Sequence, residues 1–299
     1  MSHMRRCGVP GMLLLVASGL GALAAGEPGS IPGAKSHFAK FDESKVHYAT
    51  IGKGDKTIIF IHGWAGNIGF WREQVPAFVD KARLILIDLP GHGDSDKPKT
   101  EYTLDYFARG VLAVMQDARA EKVTLVGHSM GAPVICRVYA QAPEKVAGLV
   151  AVDGLLRRPE MKPEDVDRFV APFRRPDYRS HVTNFIHSMF PDSDTHALRD
   201  QVLSEVMKTP HHVMASAMQE MFNASRPDWT LSKTSVPVLV LNAPNPRWTA
   251  DYEAYVRNLS PKAEYRVIEG THHCLMLQKP AAFNDALLAM LRKAGLIGE

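Results

Sequence analysis

With 299 residues, 45% of them hydrophobic and 22% charged, the chain can form one large α/β domain with an insertion, or two ordinary domains around sizeable cores. Two of the basic side chains behind its formal net charge of +3 are Arg5 and Arg6, and without them 33 basic residues face 32 acidic ones. That balance argues against a nucleic-acid or anionic-membrane partner, and no internal repeat or low-complexity tract is visible.

Residues 1–24 read as an export signal. Arg5 and Arg6 form a basic start, Met12 to Leu20 an apolar run, and Ala22-Leu23-Ala24 a small-x-small cleavage site. The apolar stretch is short for a spanning helix and contains Gly11, Gly19 and Gly21. The mature protein is therefore expected to be periplasmic or secreted, with no stable membrane association. Cleavage leaves Cys136 and Cys274, too few for a disulfide framework.

Gly26 to Lys35 is rich in Gly and Pro and reads as a flexible lead-in. Val46 to Ile51 alternates like a strand, and Lys56 to Ile61 is a buried strand ending in His62-Gly63-Trp64. A helix is expected over Phe70 to Val79, then a strand from Arg83 to Ile87. That strand runs into Asp88-Leu89-Pro90-Gly91-His92-Gly93-Asp94-Ser95. Leu104 to Ala120 carries Phe107, Val111, Leu112, Val114 and Met115 at helical spacing. The strand opening at Val123 stops at Gly127, a helix follows over Ala132 to Ala142, and Val146 to Val152 is another apolar strand. Alternation resumes with a strand at Val236 to Leu241, a helix at Tyr252 to Leu259, a strand at Ala263 to Ile268 and a helix at Pro280 to Lys293. Continuous apolar strands alternating with helices imply a parallel sheet covered on both faces. His62, Asp88, Ser129, Asp153 and His273 all follow strands directly. They are therefore expected on one rim, where such sheets place their sites.

Between Leu155 and Lys233 the alternation gives way to short amphipathic stretches: Asp165 to Phe173, Tyr178 to Phe190, Thr195 to Met207 and His211 to Phe222. These predict a helical cap over 155–233 inserted into a core formed by 25–154 and 234–299. Met161, Phe169, Phe173, Phe185, Met189, Met218, Met221 and Phe222 either line a substrate pocket or merely hold the cap together.

Gly127-His128-Ser129-Met130-Gly131 is a G-x-S-x-G between strand and helix, the setting for a nucleophilic serine on a sharp turn closed by small residues. Serine needs a base within hydrogen-bond reach, and Glu269-Gly270-Thr271-His272-His273-Cys274 offers two histidines. The base needs a carboxylate to fix its tautomer. Asp153, at a strand end on the same rim, is preferred, and Asp251 is the alternative. The Met130 N–H and the Trp64 N–H are the expected oxyanion donors. Asp88, Asp94 and Asp96 read as structural in a Gly/Pro-rich turn. His211-His212 lacks the partners of a metal site, so neither metal nor cofactor is expected.

His62-Gly63-Trp64, Asp88-x-Pro90-Gly91-x-Gly93-x-Ser95, Gly127-x-Ser129-x-Gly131 and His273 with Pro280 seven residues on resemble the α/β-hydrolase superfamily. The resemblance implies an eight-stranded, mostly parallel sheet with a helical cap. It also singles out His273 through the Gly-x-x-His spacing from Gly270. In esterases of that superfamily the position of Asn245 commonly carries the acid, and its absence here is a departure. Haloalkane dehalogenases are similar in placing the acid after the preceding strand, as at Asp153, but they and epoxide hydrolases use an aspartate nucleophile where Ser129 stands. The His-Gly-Trp segment with Trp71 is also similar to bacterial pimeloyl-type methyl ester esterases. The expected activity is that of a serine hydrolase on a small, fairly apolar carboxylic ester. The rivals are a lactone, an amide or a carbon–carbon bond cleaved by the same machinery, or a ligand-binding homologue without turnover.

Overall fold

The computed structural model describes residues 31–223 and 225–298, so the expected signal segment, 1–24, lies outside the described residues. Eight strands form one sheet: β1 (Lys35–Phe41), β2 (Ser44–Ile51), β3 (Thr57–Ile61), β4 (Arg83–Ile87), β5 (Val123–His128), β6 (Val146–Val152), β7 (Val238–Asn242) and β8 (Ala263–Val267). Their spatial order is β1-β2-β4-β3-β5-β6-β7-β8. β2 pairs antiparallel with β1 and β4, and every other pairing is parallel.

The central strands are mostly apolar because both of their faces are covered. Ile58, Ile59, Phe60 and Ile61 are fully buried, as are Leu84, Ile85, Leu86 and Ile87. Phe60 packs against Trp71 and Phe78, and Trp71 in turn against Phe283. Burying each such side chain contributes roughly 1.5–3 kcal/mol. The helices on the sheet are α1 (Val75–Phe78), α2 (Leu104–Asp117), α3 (Gly131–Gln141), α8 (Ala250–Arg257) and α10 (Pro280–Lys293), with the short α9 (Leu275–Gln278) before the last. The segment between β6 and β7 supplies α4 (Pro163–Arg174), α5 (Tyr178–Ser188), α6 (His196–Val206) and α7 (His211–Met221). Among the described residues no helix is long and apolar enough to cross a membrane.

Two expectations differ from the structure. β1 begins at Lys35, the last residue of the expected lead-in, where no strand is expected. The helix expected over Phe70 to Val79 is instead a 3-10 turn, Ile68–Trp71, followed by the four-residue α1. Pro76 explains the break, since it has no N–H to bond back and its ring clashes with the carbonyl four residues earlier. It is tolerated only in the first turn of α1.

Candidate active site

β5 delivers its last residue to the rim and the chain turns sharply into α3. Ser129 stands at the apex with φ +52, a left-handed conformation that a side chain adopts only where the surroundings enforce it. A Cβ on Gly127 would lie 2.3 Å from the Gly131 carbonyl oxygen, so the turn cannot close around a larger residue. The Ser129 N–H donates to the Val152 carbonyl at 2.9 Å, tying the elbow to the end of β6.

Asp153 is the next residue of that neighbouring strand. Its N–H donates to the Leu241 carbonyl at 2.8 Å, and its φ of +43 turns the carboxylate back over the rim. One carboxylate oxygen accepts the Ala243 N–H at 2.9 Å, and the other faces His273 Nδ1 at 2.7 Å. His273 Nε2 lies 2.9 Å from Ser129 Oγ. The structure thus brings Ser129, His273 and Asp153 into one hydrogen-bonded line. Asp153 leaves His273 Nδ1 as the protonated nitrogen, and Nε2 is then free to accept from the serine hydroxyl. Burial pushes the Asp153 carboxyl up, but the hydrogen bond and charge of His273 and the Ala243 N–H outweigh it and hold the group below the ordinary carboxylate range.

The other candidates fall elsewhere. Asp251 is an exposed residue of α8 paired with Arg157 at 2.7 Å. His272 points to Asp192 of the cap at 2.7 Å. Asp88 is buried and accepts from His47 Nδ1, the Ile68 N–H and the Asp94 N–H, which fits the structural reading of its turn. Asp96 accepts the Lys45 N–H. His47, Asp88 and Asp94 form the one group of three ligating side chains that converge among the described residues, but the Asp88 oxygens are already occupied by those donors. His211 stacks on Tyr178 and its Nε2 donates to the Phe173 carbonyl, so it too has a packing role.

Trp64 follows β3 and borders the cavity in front of Ser129, and Met130 directly follows the serine. Among the described residues the backbone N–H of neither has an acceptor. A Cβ on Gly63 would sit 3.0 Å from Ser129 Cβ, so that loop approaches the elbow as closely as glycine allows. The cavity itself measures about 410 Å³ and reaches Ser129 and His273. Phe169, Phe185, Met189, Met218, Met221 and Phe222 of the cap line it, together with Phe70, Val202 and Val206. Phe173 instead packs edge-on against Trp64, and Met161 is exposed away from the cavity.

Sequence reasoning missed His128. Its Nε2 donates to the His273 carbonyl at 2.8 Å, so a second imidazole holds the loop carrying the first. Burial, then the charge of nearby His273, lowers its pKa to about 3, and it stays neutral. The signal available was its position within the G-x-S-x-G. Cys274 also borders the cavity, but burial pushes its thiol up to about 12, which removes it as a nucleophile.

A family profile described as the alpha/beta hydrolase fold matches residues 56–280. The chain is similar to the dihydrolipoyllysine-residue acetyltransferase component of the acetoin cleaving system of Cupriavidus necator, 35% identical over 38% of this chain and 31% of that protein. It thus spans less than a third of that relative. It is also similar to the pimeloyl-[acyl-carrier protein] methyl ester esterase of Edwardsiella ictaluri, 28% identical over 82% of this chain and 96% of that one. Among solved structures, an N-acyl homoserine lactone degrading enzyme superposes with a TM-score of 0.71 at 25% identity, covering 85% of this chain and 99% of the other.

Proposed function

The chain belongs to the alpha/beta hydrolase fold family, and from that premise we propose that this hydrolase cleaves carboxylic esters through a covalent acyl-serine. The observation that carries the proposal is the continuous line from Ser129 Oγ through His273 to Asp153, opening into a cavity walled on the cap side by Phe, Met and Val side chains. Ser129 Oγ attacks the carbonyl carbon as His273 Nε2 takes its proton. The carbonyl electron pair moves onto the oxygen, which the Trp64 and Met130 N–H groups hold. When the tetrahedral species collapses, the bond to the alkoxide breaks and His273 returns the proton to it, releasing an alcohol. A water then attacks the acyl-serine with His273 again as base, and the acid leaves with Ser129 restored. Asp153 keeps the imidazole oriented and stabilises its cation throughout.

The apolar wall of the cavity supports a small or medium acyl chain. A lactone is a cyclic ester and follows the same steps, with the alcohol remaining attached to the acid. The likeness to the lactone-degrading enzyme supports including it. The test is Ser129→Ala on p-nitrophenyl esters and a parallel lactone panel. Turnover and fluorophosphonate labelling should both vanish. Undiminished hydrolysis by the variant would remove Ser129 as the nucleophile.

A further inference from the structure

The loop that supplies the Trp64 N–H does not stand alone. Its indole Nε1–H donates to the Met214 carbonyl of α7 at 2.9 Å. One residue on, the Ala65 carbonyl accepts from Thr209 Oγ1 at 3.2 Å. Two further on, Asn67 Nδ2 donates to Glu205 Oε2 of α6 at 2.8 Å, while its Oδ1 accepts the Gly69 N–H and caps the following turn. All these residues are buried, and Ala65 between them is held at φ +54, a left-handed conformation that costs an alanine energy and persists only where neighbours fix it. Glu205 is the least expected member. It is a carboxylate 6% exposed, turned inward from a cap helix, with Asn67 on one oxygen and Lys208 on the other.

We propose that the cap acts as a clamp on the oxyanion loop, with Glu205 and Thr209 as positioning residues for the Trp64 N–H. The inference rests on the ester-hydrolase reading above. An oxyanion donor acts on charge that develops only in the transition state, and a displacement of about 1 Å lowers the rate on the order of 100-fold. Loosening the clamp therefore lowers kcat and leaves KM almost untouched, which separates it from damage to the cavity wall.

The experiment measures kcat, KM and the affinity of a trifluoromethyl ketone analogue for Glu205→Leu, Glu205→Gln and Thr209→Val, with p-nitrophenyl butyrate as substrate. Glu101→Gln is the control, because it loosens a cap–core ion pair with Arg226 that does not involve this loop. Glu205→Leu should lower kcat about 10–100-fold and weaken the analogue in proportion, with KM within about threefold. Glu205→Gln, whose amide oxygen still accepts from Asn67, should recover most of the loss, and Thr209→Val should lower kcat several-fold. Glu101→Gln should match the wild type. The clamp is refuted if folded Glu205→Leu and Thr209→Val keep kcat and analogue affinity within about twofold of wild type, or if Glu101→Gln falls as far. Should Glu205→Leu fail to fold, Thr209→Val decides alone. A wild type that hydrolyses no ester removes the premise, whereas an active wild type with indifferent variants removes only the clamp.

Discussion

Asp153→Asn is the sharpest test of the proposed chemistry, because the structure dictates which way the new amide turns. One Asp153 oxygen accepts the Ala243 N–H at 2.9 Å, and a backbone donor cannot reverse its role. The asparagine oxygen therefore stays there and the NH2 faces His273 Nδ1, where the carboxylate now lies at 2.7 Å. An amide donor at that position forces the imidazole proton onto Nε2, the nitrogen that must accept from Ser129. The same substitution in a Ser-His-Asp triad lowers kcat about 10⁴-fold, on the order of 5.4 kcal/mol at about 1.36 kcal/mol per decade. The exchange preserves volume, so the melting temperature at neutral pH should move far less than the rate. On the acid side, the lowered pKa of Asp153 means that it stabilises the fold above the ordinary carboxylate range and that this is lost as pH falls through its folded value. The asparagine variant lacks that dependence. Asp251→Asn serves as the comparison, since an exposed ion pair with Arg157 contributes only about 0–1 kcal/mol and touches nothing near His273. Steady-state hydrolysis of p-nitrophenyl butyrate reads both. If Asp153→Asn keeps more than about a tenth of wild-type kcat, or Asp251→Asn loses more, the tautomer argument is wrong.

Burial keeps His62, His92 and His128 neutral, lowering His92 to about 4, His128 to about 3 and His62 well below its ordinary value. The unfolded chain takes up these protons near pH 6.5 and the folded chain does not, so stability should fall steadily from about pH 6.5 towards 4; an unchanged urea midpoint across that window contradicts it. Gly127→Ala drives a methyl to 2.3 Å from the Gly131 oxygen, an overpacking worth about 1–3 kcal/mol or more. It should lower the melting temperature and abolish turnover, and a fully active variant would mean the elbow is not closed as described. Phe169→Ala removes a partly exposed ring from the cavity wall and should shift preference towards longer acyl chains. An unaltered chain-length profile across a p-nitrophenyl ester series counts against this cavity as the acyl site.

Most of the frame was legible because its signals are local. Runs such as Ile58–Ile61 and Leu149–Val152 are apolar at every position, which only a strand covered on both sides requires. β1 gave no such signal. It is an edge strand with an alternating, half-exposed pattern, paired antiparallel to β2, and Phe38 on it is 52% exposed. Contacts between distant polar residues were also invisible. Asn67 and Glu205 are 138 residues apart, and neither shows in its own neighbourhood that the other completes it. The cap residues fell between these cases, since an amphipathic helix shows that it has an inner face without showing whether that face meets a cavity or another helix.

Why the rim could be read correctly follows from the ladder itself. Ser129 and Asp153 are each the first residue past a strand, and each still donates its N–H to the end of the neighbouring strand, Val152 and Leu241 respectively. The proposed nucleophile and acid therefore inherit their separation from the parallel register of β5, β6 and β7, in which His128 pairs with Val152 and Val152 with Leu241. The proposed base, His273, comes from further off. β8 lies two strands from β6, or about 10 Å at roughly 4.8 Å per strand. The residues from Ile268 to His273 reach up to roughly 17 Å when extended, enough to return across the end of β7. His272 comes one residue too soon and meets Asp192 of the cap instead. Shortening this loop by one residue would leave the fold's strands intact and still part the imidazole from the serine.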